Sequence, residues 1–231
     1  MNLQILFEDN HIIVCHKPAG LPTQSARIGT PDMVSILKTH VYKNSIVKGE
    51  PYIAVIHRLD QPVEGILVFA KTPFAAKELN KQLQTNGFGK HYQALVCGIP
   101  PHNSGTLEDY VVKDAKTNTS RVCTKETPDS KKATLHYVTL HSFTSNPHLP
   151  EPTTLLQIHL ETGRHHQIRV QLAHIGCPIC GDTKYNTSHA MNKNWKQLCL
   201  YAYKLEFSHP KTKKPMVFQF DPEISEIKVI Y

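Results

Sequence analysis

The pattern of apolar and polar positions along the chain predicts many strands and few helices. Three segments show apolar residues on one helical face together with capping residues at the expected ends. These helices are predicted after Thr30-Pro31, after Thr72-Pro73, and from about His166 to Ile175, before Gly176. Short apolar runs predict strands at residues 12–15, 53–56, 65–70, 92–96, 133–140 and 154–160, and a hairpin formed by residues 198–207 and 216–220.

The order of these elements predicts an α+β fold, built on a mainly antiparallel, mixed sheet that helices and loops flank. Strands and helices do not alternate regularly, as they would around a parallel sheet. The polar residues 113–132 are predicted to form an exposed hairpin tip or insert, and the proline-rich residues 146–152 a loop. No break is long enough to require a second domain, so residues 1–231 are predicted to form one domain.

Composition excludes several classes of protein. The chain has 231 residues, of which 40% are hydrophobic and 19% charged, and this is typical of a globular protein. Its longest clear apolar run, residues 66–70, is far shorter than the roughly 20 residues of a membrane-spanning helix. Six scattered cysteines and the absence of a signal peptide favour a cytoplasmic protein with free thiols. The pair Cys177 and Cys180 lacks a second ligand pair at zinc spacing, so buried thiols are favoured over a metal site.

Basic side chains are concentrated in the second half of the chain. Residues 1–115 hold 11 basic and 10 acidic side chains, whereas residues 116–231 hold 15 and 9, which together give the net charge of +7. Such a basic half favours a polyanionic partner such as nucleic acid. A surface solvated by lysines explains the charge equally well.

Three polar segments hold the candidate chemistry. In the first, Asp60 lies two residues after Arg58, between two apolar strands. A carboxylate near a guanidinium group stays ionised and can act as a nucleophile or base. The alternative is that the segment is only a turn with a local ion pair. The second, residues 162–169, brings two arginines and two histidines to a helix start, which suits phosphate better than metal. In the third, Tyr92 opens a strand and either packs in the core or stacks on a base.

Together, and in this order, the segments resemble the RluA-type pseudouridine synthases of RNA. The resemblance covers about residues 9–222. The matching segments are KPAG at 17–20, HRLD at 57–60 followed by Gly65, KHYQALVCG at 90–98, GRHHQIR at 163–169, PICGD at 178–182 followed by Tyr185, and LYA at 200–202. The chain departs from the family pattern at Glu64, which replaces Ser, at His165, which replaces Thr or Ser, and at Asn186, which replaces Gly.

The resemblance implies that the protein isomerises specific uridines of rRNA or tRNA to pseudouridine after the target base has flipped out of its stack. It implies Asp60 as the catalytic aspartate, Arg169 as the cation that pairs with Asp60, and Tyr92 as the ring that stacks on the uracil. The side chains implied to bind substrate are His57, Arg58, Arg164, His166 and Leu200. We expect no cofactor, no metal, no membrane association and no obligatory protein partner.

The resemblance also implies a stand-alone catalytic domain without the S4 RNA-binding domain that precedes some family members. RNA selection is then expected at the synthase surface, including residues 113–132 and 184–197. Two alternatives belong to other classes of function. One is a catalytically inactive RNA-binding module, which would be expected to lose Asp60, Tyr92 or Arg169, and the other is a hydrolase that uses His57 and Asp60 with a bound metal.

Overall fold

The computed structural model describes residues 3–27, 29–45, 49–85, 87–144, 152–186 and 197–222. Contacts divide the chain into two compact units, residues 1–89 with 202–220 and residues 90–201 with 221–231. The elements in chain order are β1 (Gln4–Glu8), β2 (Ile12–Lys17), α1 (Met33–Asn44), β3 (Ala54–Val55), β4 (Glu64–Ala70), α2 (Pro73–Gln84), β5 (Gly89–Cys97), β6 (Ser104–Asp114), β7 (Thr119–Cys123), β8 (Lys131–Phe143), β9 (Thr153–Leu160), α3 (Gln167–His174), β10 (Leu200–Ser208) and β11 (Pro215–Gln219).

The first unit is a sheet with the strand order β1-β2-β4-β10, in which β3 also pairs with β4 and β11 with β10. Strands β2 and β4 pair antiparallel from Ile12 opposite Ala70 to Lys17 opposite Gly65. Both strands are almost continuously apolar because they are covered on both faces. The core beside them is made by buried side chains of β2, β4, α2 and β10, including Val14, Val68, Leu79 and Phe207, together with Phe88, which precedes β5.

The two helices of this unit show how capping decides where a helix begins. Helix α2 begins as predicted, with Pro73 at its first position and the Thr72 hydroxyl accepting the Ala75 N–H. The predicted cap of α1 at Thr30 is wrong, because the helix begins at Met33 after Asp32. The Asp32 carboxylate accepts the Ser35 N–H, and the Ser35 hydroxyl oxygen accepts the Asp32 N–H. This reciprocal capping box stabilises the later start.

The second unit contains the strand order β5-β9-β8-β6-β7, and every one of these pairings is antiparallel. Strands β5 and β9 pair over their length, from Lys90 opposite Leu160 to Cys97 opposite Thr153. Helix α3 packs on this sheet through Val170, which contacts Val111 and Ala133. The exposed polar hairpin predicted within residues 113–132 is present as the end of β6, the turn after it and β7.

These observations confirm the α+β class and the mainly antiparallel sheet. The single domain over residues 1–231 stays a prediction, since the contacts define two compact units. Over the described ranges, no helix is long and apolar enough to cross a membrane. Residues 145–151 and 187–196, which include most of the predicted proline-rich loop and most of the segment 184–197, lie outside the described residues.

Candidate active site

The first unit presents Asp60 on a tight turn between β3 and β4, where the sequence predicted a polar connection. The Asp60 carbonyl oxygen accepts a hydrogen bond from the Val63 N–H at 3.0 Å, and the chain then enters β4. Asp60 is half-buried, whereas Leu59 beside it is buried. A buried neighbour anchors the turn in the core, so the carboxylate is held by rigid elements while part of it stays accessible to solvent.

The segment that begins at Lys17 fixes both neighbours of Asp60. The Leu59 N–H donates to the Thr23 hydroxyl oxygen at 3.2 Å, and the Thr23 hydroxyl donates to the Leu59 carbonyl at 3.0 Å. The Gln61 carbonyl accepts the Gly20 N–H at 2.9 Å, and the Gln61 side-chain amide donates to the Gly20 carbonyl at 2.9 Å. The KPAG segment and the residues after it therefore hold the HRLD turn in place.

Lys17 stabilises the same turn from the interior of the protein. Its side chain is fully buried, and Nζ donates to three carbonyl oxygens, among them those of Leu21 at 2.7 Å and Gln61 at 3.1 Å. Burial lowers the pKa of Lys17 to about 8, although the negative charges of Asp60 and Glu64 favour its protonated form. The ammonium group is thus a buried cation that interacts electrostatically with Asp60.

The two side chains that precede Leu59 differ in their surroundings. His57 is half-buried, with Nε2 at 3.4 Å from the Val68 N–H and its ring edge-on to Phe88 at 5.9 Å. Arg58 is exposed, and its guanidinium makes no hydrogen bond or ion pair with the part of the chain that the structure describes. Arg58 is therefore available to a ligand, whereas His57 is partly engaged by the protein.

The second unit holds the remaining predicted residues. Tyr92 is buried on β5 opposite Ile158, and Leu200 is buried at the start of β10. Lys90, two residues before Tyr92, is also buried, and its pKa is lowered by burial and by the positive charge of Arg164. The positive charge of Arg164 thus acts on the buried Lys90 at the start of β5.

The GRHHQIR segment forms the start of α3. His166 is buried in the left-handed conformation (φ 53°) immediately before the helix, and no side chain caps this end. The Gln167 side-chain oxygen accepts the Arg164 N–H at 3.0 Å and the Thr162 hydroxyl at 2.8 Å, which folds the preceding turn. Arg164 is exposed and donates through Nε to the Lys132 carbonyl at 2.8 Å.

Arg169 lies on α3 and forms a two-pronged pair with Asp182. Nε donates to Oδ2 at 2.7 Å and Nη2 to Oδ1 at 2.8 Å, and the two residues are only 4% and 2% exposed. The guanidinium carbon also lies 5.1 Å from the centre of the Tyr185 ring. Such a buried fork fixes the plane of the arginine.

Asp182 is a residue that sequence reasoning missed in this role. The family resemblance implies that Arg169 pairs with Asp60, and that pairing stays a prediction. Within the second unit, the carboxylate that binds Arg169 is that of Asp182, in the PICGD segment. The match of this segment to the family pattern was the only signal in the sequence that pointed to Asp182. The same segment places Cys180 in the interior, with its sulfur 3.2 Å from that of Cys97, and Cys177 is buried as well.

Comparison with known sequences identifies the group to which this chain belongs. The family model described as RNA pseudouridylate synthase matches residues 11–174. The chain belongs to the RNA pseudouridylate synthase family. Membership in this family of isomerases confirms the predicted RluA-type resemblance, the pseudouridine synthase fold and the enzyme class.

Two curated relatives of this synthase extend the match beyond residues 11–174. Uncharacterized RNA pseudouridine synthase YlyB of Bacillus subtilis is 33% identical over 222 residues, which are 95% of this chain and 69% of that protein. Ribosomal large subunit pseudouridine synthase D of Nitrosomonas europaea is 36% identical over 230 residues, 94% of this chain and 61% of that protein. This synthase thus spans between 61% and 69% of the length of these two relatives.

A solved structure supports the fold. Human RNA Pseudouridylate Synthase Domain Containing 4 superposes on this synthase with a TM-score of 0.76 and 22% sequence identity, covering 97% of this chain and 92% of that one. This likeness concerns the fold alone. The role of each individual side chain stays a prediction.

Proposed function

We propose that this synthase converts uridine in ribosomal RNA to pseudouridine, with Asp60 as its catalytic aspartate. The bond between N1 and the sugar breaks, a bond between C5 and the same sugar carbon forms, C5 loses its proton and N1 gains one, so the reaction needs no redox partner. The observation that carries the proposal is the half-buried Asp60 on a turn that Thr23, Gly20 and Lys17 clamp. Such a preorganised carboxylate suits covalent or proton-transfer chemistry.

Tyr92 and Arg169 are proposed to act in the same reaction. The buried Tyr92 ring would stack on the flipped uracil, and the buried Leu200 would form an apolar wall. Arg169 would keep the catalytic carboxylate ionised, and its fixed plane in the fork with Asp182 supports such a role. We also propose that residues 1–231 act as one catalytic domain.

RNA binding is proposed to involve the exposed basic side chains. Arg58 and Arg164 are both exposed and near the proposed catalytic residues in sequence, and they would contact the RNA directly. The rings of His57 and His166 contact Val68 and Tyr185, so their proposed contribution to substrate binding is to shape the surface. A cytoplasmic location is proposed with this function.

Ribosomal RNA is favoured over tRNA as the substrate class because of the names of the relatives. The synthase D proteins of Nitrosomonas europaea and Pseudomonas aeruginosa are named for the large ribosomal subunit. The substrate pools for an assay should therefore be large-subunit rRNA and, for comparison, unmodified tRNA.

Tritium release from RNA labelled at C5 of uridine tests the proposal. The wild-type chain should release tritium from large-subunit rRNA, and Asp60→Asn should lose at least about 1000-fold in rate while its affinity for the RNA changes little. Asp221→Asn, which neutralises an exposed carboxylate near the end of the described chain, is the matched control and should retain full activity.

Each other outcome points to a specific alternative. Release from both the wild type and Asp60→Asn would overturn the assignment of Asp60. RNA binding without release from any pool would favour the inactive RNA-binding module. Release of free uracil, lost on addition of a chelator, would favour the metal-dependent hydrolase.

A further inference from the structure

A short chain of hydrogen bonds joins the β6–β7 hairpin to the residues around Arg169. The Ser120 N–H on β7 donates to the Tyr185 hydroxyl oxygen at 2.7 Å, and the Tyr185 hydroxyl lies 2.8 Å from His166 Nδ1. The tyrosine oxygen accepts from Ser120, and the direction of its bond with His166 Nδ1 depends on the tautomer of that ring. The hydroxyl thus contacts both β7 and the residue before α3.

Ser120 makes a second connection to the start of α3. Its hydroxyl donates to the His165 carbonyl at 2.8 Å, and His165 Nδ1 lies 2.9 Å from the same hydroxyl oxygen. The His165 and His166 rings stack with their centres 3.8 Å apart. Only the contact with the imidazole depends on the residue at this position, where His165 replaces the Thr or Ser of the family pattern.

The turn that carries Asp182 is tied to the same hairpin. The Lys184 ammonium donates to the Asn118 carbonyl at 2.7 Å, in the turn between β6 and β7. Asp182 Oδ1, which binds Arg169, also accepts the N–H groups of Lys184 at 2.9 Å and Tyr185 at 3.2 Å. One carboxylate therefore shapes the turn and holds the arginine.

We propose that Tyr185 is a positioning residue for Arg169, and that its hydroxyl makes the β6–β7 hairpin part of the support of that arginine. The Tyr185 ring faces the guanidinium at 5.1 Å, while Asp182 holds the edge of the same guanidinium. Two contacts at different sides fix a planar cation more completely than either does alone. The inference rests on the proposed function, in which Arg169 serves the reaction.

The position of the ring depends in turn on its hydroxyl. The Tyr185 ring packs against the small apolar cluster of Val111, Ala133 and Val170. In this proposal, the hydrogen bonds of the hydroxyl with the Ser120 N–H and with His166 Nδ1 fix the ring beside Arg169. Displacements of about 1 Å around a catalytic group cost up to roughly 100-fold in rate, so loss of the hydroxyl should be visible in kcat.

Tyr185→Phe tests the proposal because it removes the hydroxyl and keeps the ring. Steady-state assays should show about a tenfold lower kcat and a KM for RNA within twofold of the wild type. Tyr110→Phe is the matched control, because it removes a hydroxyl from β6 of the same hairpin outside the chain from Ser120 to His166. It should leave both constants unchanged.

A double-mutant cycle separates positioning from a purely structural role. If Tyr185 acts through Arg169, Tyr185→Phe should lower the rate by less than twofold when Arg169 has already been replaced by Lys. An equal fold-loss in both backgrounds, or an unchanged kcat in the single variant, would overturn the proposal.

A measurement without substrate distinguishes this inference from the proposed function. The buried Nε–H of Arg169 donates to Asp182 and should give a slowly exchanging NMR signal. Tyr185→Phe should broaden that signal and speed its exchange at least tenfold, while Tyr110→Phe should not. An unchanged signal would refute the positioning role, whereas an inactive wild type with the expected NMR change would refute only the proposed function.

Discussion

Lys17 Nζ donates a hydrogen bond of 3.1 Å to the carbonyl oxygen of Gln61, the residue that follows Asp60. The contact joins positions 44 residues apart, and the side chain of Lys17 is fully buried. Through this hydrogen bond, a lysine at the end of β2 stabilises the later turn that carries Asp60. The lysine satisfies buried carbonyl oxygens that would otherwise lose their hydrogen bonds to water.

Replacing Lys17 by Met should loosen the Asp60 turn without emptying the core. Methionine fills a similar volume but leaves the Leu21 carbonyl without the Lys17 ammonium as donor, so the free energy of unfolding should fall by about 1–3 kcal/mol. Hydrogen exchange at the Leu59 and Gly20 amides should become faster. Lys38→Met, which removes an ammonium at the surface, should leave both quantities unchanged.

The pKa of Lys17 makes a separate, pH-dependent prediction. Burial lowers the pKa from 10.5 to about 8, so between these values the unfolded chain binds more protons at this residue than the folded chain does. Stability from this group therefore rises with pH through that window, by up to about 3 kcal/mol, and is independent of pH below it. The NMR titration of the Lys17 Cε carbon should have its midpoint near pH 8. A midpoint above pH 10 would contradict the structure.

Gly65 should tolerate no side chain. Its φ is +150°, and a Cβ built there would lie 2.5 Å from both the Cβ and the carbonyl oxygen of Ala202. Gly65→Ala should therefore lower the free energy of unfolding by roughly 3 kcal/mol, because backbone strain adds to overpacking. Gly49→Ala is the control, since nothing lies within 4 Å of a Cβ at that position. Chemical denaturation of the two variants should separate them clearly, and equal stabilities would refute the close approach.

The sequence predicts those elements whose causes are local. Helix α2 begins where Thr72 and Pro73 place it, and α3 ends before Gly176, which has a φ of +80°. The bounds of strands β6 and β7 escaped prediction, although a hairpin tip or insert was predicted at residues 113–132, because their side chains are mostly polar and only one in each strand is buried. Pairing of β6 with both β7 and β8 forms these strands, and no periodic pattern in the chain records that pairing.

The candidate residues likewise divide into those that a local segment identifies and those that depend on long-range contacts. Asp60, Tyr92 and Arg169 were identified by the resemblance of short segments, and their catalytic roles stay predictions. The bidentate partner Asp182 and the support from Ser120 depend on side-chain contacts, and the Ser120–Tyr185 contact spans 65 positions. Spacing along a sequence does not reveal such contacts, since they arise only when the sheet and α3 are packed.

Asp182→Asn should show how much the buried fork contributes. Asparagine has nearly the same shape but carries no charge, so Arg169 loses its charge-assisted fork in a buried environment. We expect the free energy of unfolding to fall by about 3 kcal/mol, within the range for buried pairs from which one partner is removed. Glu108→Gln, which neutralises an exposed partner of Lys132, should cost less than about 1 kcal/mol. Comparable losses in both variants would mean that the fork contributes little.

Salt dependence should distinguish Arg58 from the lysines of the hairpin. The net charge of +7 predicts that affinity for RNA falls steeply with salt, and each phosphate contact contributes about 0.7 to the slope of log K against log salt for a single strand. Lys116, exposed in the turn after β6, should act on phosphate, so Lys116→Ala should reduce the slope by about 0.7 and leave the rate at saturating RNA unchanged. The exposed Arg58, beside the turn that carries Asp60, should instead occupy the gap left by the flipped base. Arg58→Ala should therefore lower the saturating rate more than tenfold and leave the slope unchanged; a reduced slope with a normal rate would show that Arg58 binds phosphate.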